Sequence, residues 1–231
     1  FVSLTGKRAQ GAGPHARNVR NSAKGTSFDW SLAGTGKNVE VNLGLIGRHQ
    51  ADNAVTAIAA AEAWRGVDVS GIERDPALPA MLEALGQVRW PGRLEKVASD
   101  PDLWIDVGHT PHALDLVTEA FLDIAPRART LVVFGVSASK EVQKIAAIVA
   151  GRFDHFILTR AHKSGADVAS FAGAFAGKDV TIAADTAEAA RLAKARAQEE
   201  GLAVLALGGL FLAAETQYAW QGGDPKTLDF F

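Results

Sequence analysis

From Leu94 onward the chain alternates short apolar runs with longer amphipathic ones, and few folds accept that alternation. Strand-like runs fall at residues 103–105, 130–134, 156–158, 180–183 and 203–207. Between them, residues 111–124 align Ala113, Leu114, Val117, Ala120 and Phe121 on one helical face, and residues 139–150 align Val142, Ile145, Ala146 and Val149. After the fourth run, Asp185 and Glu188 have the spacing of a capping box, and Gly201 is the stop. Strands alternating with helices of this length predict an α/β fold with a mostly parallel sheet covered on both faces. Right-handed crossovers bring the carboxyl ends of parallel strands to one edge, so residues 106–109, 135–140, 159–163 and 208–209 are expected to face one crevice.

The first ninety residues have a different character. Residues 28–32 and 39–43 alternate apolar and polar side chains around Gly34-Thr35-Gly36-Lys37-Asn38, which predicts a hairpin, and residues 1–26 read as loop with one strand. A helix is expected over 50–64, with Ala54, Ile58, Ala61 and Trp64 on one face and Gly66 as its stop, followed by a second helix over 70–85. The stretch from Trp90 to His112 therefore reads as a joint between residues 1–90 and 94–231.

Composition narrows the function classes. A net charge of −2 with no strongly basic segment leaves no nucleic-acid footprint. The absence of cysteine removes disulfides, thiolate metal sites and thiol catalysis, and agrees with a cytoplasmic setting. The longest apolar stretch, residues 201–214, is too short for a bilayer and is split by Gly208-Gly209, and no signal peptide is visible. The chain opens on Phe1 rather than Met, which leaves room for an upstream portion.

Several motifs have plainer readings beside the chemical ones. Thr5-Gly6-Lys7-Arg8 and Thr35-Gly36-Lys37-Asn38 lack either the earlier glycine or the following Ser/Thr of a P-loop and read as turns. The single Gly135 after the second strand lacks the G-x-G-x-x-G spacing of a dinucleotide site. His109 and His112 have no third ligand at metal spacing. Arg93 is a fork-shaped cation suited to phosphate or carboxylate, with pairing to Glu95 as the alternative. Asp106 and His109 fall at a strand end, where Asp106 could instead cap the helix beginning near Thr110. Lys140 stands at a helix start that could meet an anion, and Asn53 is a poor helix former in a first turn.

Read together, these residues resemble the folylpolyglutamate and dihydrofolate synthases of the Mur ligase superfamily, over about residues 38–214. Leu43 through Ala54, with His49, Gln50 and Asn53, looks like the L-x-G-x-H-Q-x-x-N-A helix of that family's central domain. Trp90-Pro91-Gly92-Arg93-Leu94-Glu95 and Asp106-Val107-Gly108-His109-Thr110-Pro111 look like its linker and its D-G-A-H-N-P motif. Phe134 to Glu141 with Lys140 resembles F-G-x-x-x-x-K-D, and Leu207 to Leu212 resembles G-S-L-[FY]-L. The resemblance implies a Rossmann-like, mostly parallel Mur ligase C-terminal domain over 94–231, preceded by the end of a central, ATP-binding domain over 1–90.

The resemblance also implies roles. Asn53, Arg93 and Asp106 would contact ATP, His109 and Gly209 would lie on the glutamate side, and His49 and Lys140 are further candidates. The implied chemistry is activation of a folate or pteroate carboxylate as an acyl phosphate with ATP and magnesium, then attack by the glutamate amine. The partners would be these small molecules, with no nucleic acid or membrane, and the enzyme a cytoplasmic monomer. Three departures stand out: DVGHTP replaces DGAHNP and is closer to the peptide-adding Mur ligases, Gly209 replaces the serine of G-S-L, and the family's P-loop half is not in this sequence. The 231 residues alone are therefore expected to be inactive. The rival readings are a non-catalytic nucleotide-binding or interaction module and a peptide-adding Mur ligase.

Overall fold

The computed structural model describes residues 15–31, 37–66, 75–138 and 141–229. Readings placed on residues 1–14, the turn at 32–36, residues 67–74, Ser139 and Lys140 lie outside them. The chain divides into two compact units, Phe1–Arg89 and Trp90–Phe231.

In the first unit, β1 (His15–Ser22), β2 (Gly25–Ser31) and β3 (Asn38–Leu43) form an antiparallel sheet in the order β1-β2-β3. The expected hairpin is present, with Thr26 opposite Leu43 and Ser31 opposite Asn38. Alternation places Phe28, Trp30, Val41 and Leu43 on one face, where α1 (Arg48–Arg65) buries Ala51, Ala54, Val55 and Ile58 against them. Trp64 is not on that face, being 92% exposed. Ten residues past Ala54, at 100° per residue, it has rotated by roughly 80° from the buried stripe. The following helix, α2, runs over Leu78–Gln87 and adds Leu78 to the core.

The second unit is the α/β fold that the alternation predicts. β4 (Glu95–Ser99) pairs antiparallel with β5 (Asp102–Asp106), and β5, β6 (Thr130–Phe134), β7 (His155–Leu158), β8 (Asp179–Ile182) and β9 (Ala203–Leu207) are parallel, in the order β4-β5-β9-β6-β7-β8. The connecting helices are α3 (Pro111–Leu122), α4 (Val142–Arg152) and α5 (Thr186–Glu200), and α6 (Leu210–Trp220) closes the order. Every residue of β6 is buried, as expected of a parallel strand covered on both faces. Odd-numbered Leu103, Ile105, Leu131 and Val133 turn toward Ala189, Ala193 and Ala197 of α5. On the opposite face, Phe121 stacks edge-on between Trp104 (6.0 Å) and Phe153 (6.3 Å), and Phe134 and Phe156 meet Phe175.

At the capping-box spacing, the N–H of Glu188 donates to the N-cap Asp185 Oδ1 at 2.9 Å, and Glu188 Oε2 accepts the N–H of Ala184, one residue before the N-cap, at 2.8 Å. Gly201 ends α5 in the left-handed conformation (φ 64°). No described helix is long and apolar enough to cross a membrane.

Phe121 is fully buried and joins α3 to both the sheet and the end of α4. Its replacement by alanine is expected to cost about 3–5 kcal/mol, and Phe121→Leu well under half of that. Urea unfolding followed by circular dichroism measures the difference, and equal costs for the two variants would mean that the ring site collapses around any side chain.

Candidate functional site at the carboxyl edge of the sheet

The parallel strands end where backbones approach too closely for side chains. A Cβ on Gly135 would lie 2.3 Å from the Thr159 carbonyl oxygen, and one on Gly208 would lie 2.1 Å from the Gly135 oxygen. Gly208 also has φ 126°, open to glycine and strained for other residues. These contacts draw the ends of β7, β6 and β9 into one wall. Beside it, the Cβ position of Gly209 is 3.9 Å from His109 Cβ and 3.8 Å from Ser137 Oγ. The strand ends expected to share one edge thus meet through Thr159, Gly135, Gly208, Gly209 and His109.

Asp106 ends β5 only 1% exposed, and its two carboxylate oxygens are taken by the backbone. The Leu94 N–H donates to Oδ2 at 3.0 Å and the Gly108 N–H to Oδ1 at 2.7 Å. One carboxylate therefore brackets the segment after the joint to the loop after β5, reinforced by the Val107 N–H donating to the Gly92 oxygen at 3.0 Å. Leu94 is buried with φ 43°, a left-handed backbone costing on the order of 1–3 kcal/mol in a non-glycine residue. Nothing in the sequence marks Leu94, because its conformation is imposed by Asp106, twelve residues away.

Neither plainer alternative is realised. Thr110, not Asp106, caps α3, accepting the Ala113 N–H at 3.2 Å. Glu95 accepts the Gly92 N–H at 2.8 Å, and the exposed Arg93 side chain has no hydrogen-bond partner among the described residues. The His109 ring is exposed, and its Nδ1 donates to the Val107 oxygen at 3.3 Å, which leaves Nε2 toward solvent. Burial pushes the Asp106 carboxyl above its ordinary value, and the N–H donors of Gly108 and Leu94 and the Arg93 charge offset this only in part.

In the first unit, the entry to α1 is fixed by the Gly47 N–H, which donates to Thr26 Oγ1 at 2.9 Å and to Asn21 Oδ1 at 3.2 Å. His49 is half-buried; Asn53 is exposed one turn later, its Nδ2 donating to Gln50 Oε1 at 3.2 Å. Lys140 lies outside the described residues. No group of three or more metal-ligating side chains occurs among the described residues.

Residues 92–210, just over half of the chain, match the family described as Mur ligase, glutamate ligase domain. The chain belongs to the Mur ligase family. A probable bifunctional folylpolyglutamate synthase/dihydropteroate synthase of Halobacterium salinarum is 33% identical over 201 residues, 84% of this chain and 22% of that protein. A UDP-N-acetylmuramoyl-L-alanyl-D-glutamate–2,6-diaminopimelate ligase of Chlamydia caviae is 29% identical over 200 residues, 83% of this chain and 39% of that one. In structure, the chain is similar to Mycobacterium tuberculosis folylpolyglutamate synthase complexed with ADP and AMPPCP, with TM-score 0.76 and 23% identity over 93% of this chain and 49% of that one. The chain thus spans less than half the length of these Mur ligase relatives.

Two outcomes follow from the geometry of this Mur ligase edge. Gly208→Ala should destabilise the second unit more than Gly209→Ser, since the first meets backbone at 2.1 Å and the second has space but keeps the strain of φ 150°. Urea midpoints give the order. For Asp106, a raised carboxyl favours the protonated form on folding, so its contribution is complete below the ordinary value of 3.8 and falls as pH rises through the folded value. Relative to Asp106→Asn, the wild-type chain should lose stability as pH rises above 3.8; a difference that widened with pH would show the bracket's charge outweighing its burial.

Proposed function

We propose that the second unit forms the amino-acid side of an ATP-dependent amide ligase that adds glutamate to a folate or pteroate, and that the first unit is the end of that enzyme's central, ATP-binding domain. The observation that carries this reading is the match of residues 92–210 to a glutamate ligase domain, together with an edge that gathers Arg93, Asp106, His109 and Gly209.

The residues suit distinct tasks. Arg93, exposed and unpaired, can meet a phosphate oxygen with paired N–H donors. Asp106 does not reach out; it holds the Arg93 segment against the loop that carries His109. His109, with Nδ1 engaged, offers Nε2 to a carboxylate or amine. Gly209 leaves open the space that a serine hydroxyl would fill. Asn53 has an amide on an exposed face suited to a nucleotide. ATP, when bound, supplies the phosphoryl group that activates the acceptor's carboxylate. The described residues include no acidic or histidine cluster able to hold magnesium by itself.

The second reading, a ligase that adds an amino acid to a peptide acceptor, is favoured by His109-Thr110-Pro111 and by the extent of the diaminopimelate ligase match. A longer protein containing this chain, supplied with ATP and either pteroate plus glutamate or a muramoyl peptide plus diaminopimelate, separates the two by product mass. With the folate substrates, Arg93→Ala should lower kcat/KM for ATP by about 30- to 150-fold, the equivalent of about 2–3 kcal/mol. The 231-residue chain alone should release no phosphate from ATP. Unchanged ATP kinetics in Arg93→Ala would remove that residue from the nucleotide site.

A further inference from the structure

The loop after β6 is held by the loop after β7, and the hold begins at a buried acid. Glu215, fully buried on α6, accepts the His162 N–H at 2.7 Å, the Lys163 N–H at 3.0 Å and the Thr186 hydroxyl at 2.9 Å. The same loop closes tightly at Gly165, where a Cβ would lie 2.4 Å from the Ala161 oxygen. On one side it lines, with Asp185 and Lys226, a cavity of 620 Å³. On the other it grips the loop after β6. There the Ala138 N–H donates to the Ser164 oxygen at 3.3 Å, and the Ala166 N–H donates to the Val136 oxygen at 2.8 Å. These two bonds flank Ser137, which bridges antiparallel to Gly165.

Ser137 is thus fixed by the backbone on both sides, while its side chain is left unengaged. The residue is half-buried, and its hydroxyl has no hydrogen-bond partner among the described residues. That hydroxyl lies 3.8 Å from the Cβ position of Gly209, and His109 Cβ lies 3.9 Å from the same point. Because residue 209 has no side chain, the point is open, with a hydroxyl on one wall and a histidine on the other. A partly desolvated hydroxyl without a partner forgoes a hydrogen bond that a ligand can restore.

The two walls offer opposite chemistry. His109 Nδ1 donates to the Val107 oxygen at 3.3 Å, so in the neutral ring Nε2 is an acceptor. The Ser137 O–H is free to donate. One acceptor and one donor beside a single small opening match the amine and the carboxylate that an α-amino acid carries on one carbon. A phosphate, which presents acceptors on every side, would leave Nε2 facing another acceptor.

We infer that Ser137 is a specificity-determining residue of this edge, its hydroxyl donating to the α-carboxylate of the incoming amino acid while His109 Nε2 accepts from the amine. The inference rests on the glutamate-ligase reading. Its test is the steady-state kinetics of a longer protein containing this chain, with glutamate as substrate and glutamate α-amide, which lacks the charged α-carboxylate, as competitor. Ser137→Ala should raise the KM for glutamate at least about tenfold, the effect of losing a hydrogen bond to a charged group, and leave the KM for ATP unchanged. Ser137→Thr, which keeps the hydroxyl, should recover most of that loss. The inhibition constant of the α-amide should respond much less to Ser137→Ala, because the charge that strengthens the hydrogen bond is gone. Where Ser137→Ala fails to fold, Ser137→Val takes its place against the isosteric Ser137→Thr. A KM for glutamate that ignores the loss of the hydroxyl, a KM for ATP that moves with it, or an equal penalty on the α-amide overturns the inference. A wild-type enzyme that forms no glutamyl amide overturns the ligase reading and this role together, whereas an active enzyme indifferent to Ser137 overturns the role alone.

Discussion

The pairing of β9 between β5 and β6 is the interaction on which the second unit depends. Residues 203–207 hydrogen-bond to residues 103–106 on one side and to residues 130–134 on the other. Without that strand the sheet would fall into a hairpin and a separate three-stranded piece. The last strand in sequence is therefore the centre in space, and long-range pairings of this kind form only after large loop-closure costs are met. The same insertion places Gly208 against Gly135, and so fixes what the carboxyl edge can be.

At that edge, backbone proximity replaces side-chain recognition. The positions where Gly135 and Gly208 meet their neighbours admit no Cβ, while the adjacent Gly209 has free space. Asp106 follows the same logic from the other side. Its carboxylate is placed by β5, satisfied by two backbone N–H groups, and made costly by burial, so that it works as a bracket for the flanking loops. A matching device lies three strands further along the sheet, where Glu215 gathers three donors from two segments. Among the described residues neither buried acid has a direct ion-pair partner, and both take backbone hydrogen bonds from loops that would otherwise lack a fixed position.

Much of the second unit was legible because strands buried on both faces are continuously apolar and end at glycines or polar residues. Residues 130–134 and 203–207 were found to the residue for that reason. β4 was missed: Glu95 to Ser99 is half polar, and it becomes a strand only because β5 offers its edge. The one strand read within residues 1–26 is β1, but its bounds were not legible, since its Arg- and Asn-rich sequence is held by pairing to β2, with a bulge between Arg17 and Arg20. Trp64 was misplaced because small drifts in helical phase accumulate over ten residues, and its size suggested burial that its angle does not permit.

The sequence by itself determined the α/β class, the parallel sheet, the cap of α5, and the set of polar residues that reach strand ends, because periodicity and capping are local properties of the chain. Tertiary structure alone decided what those residues do there. Asp106 is a bracket and not an open acceptor because Leu94, brought in from before β4, supplies an N–H at 3.0 Å. Glu215 reads in sequence as one acid in an apolar helix, and it becomes the fastening of a cavity only when residues 162, 163 and 186 converge on it. Hydrogen-bond partners at such separations are set by the order of strands in the sheet, which no window of neighbouring residues contains.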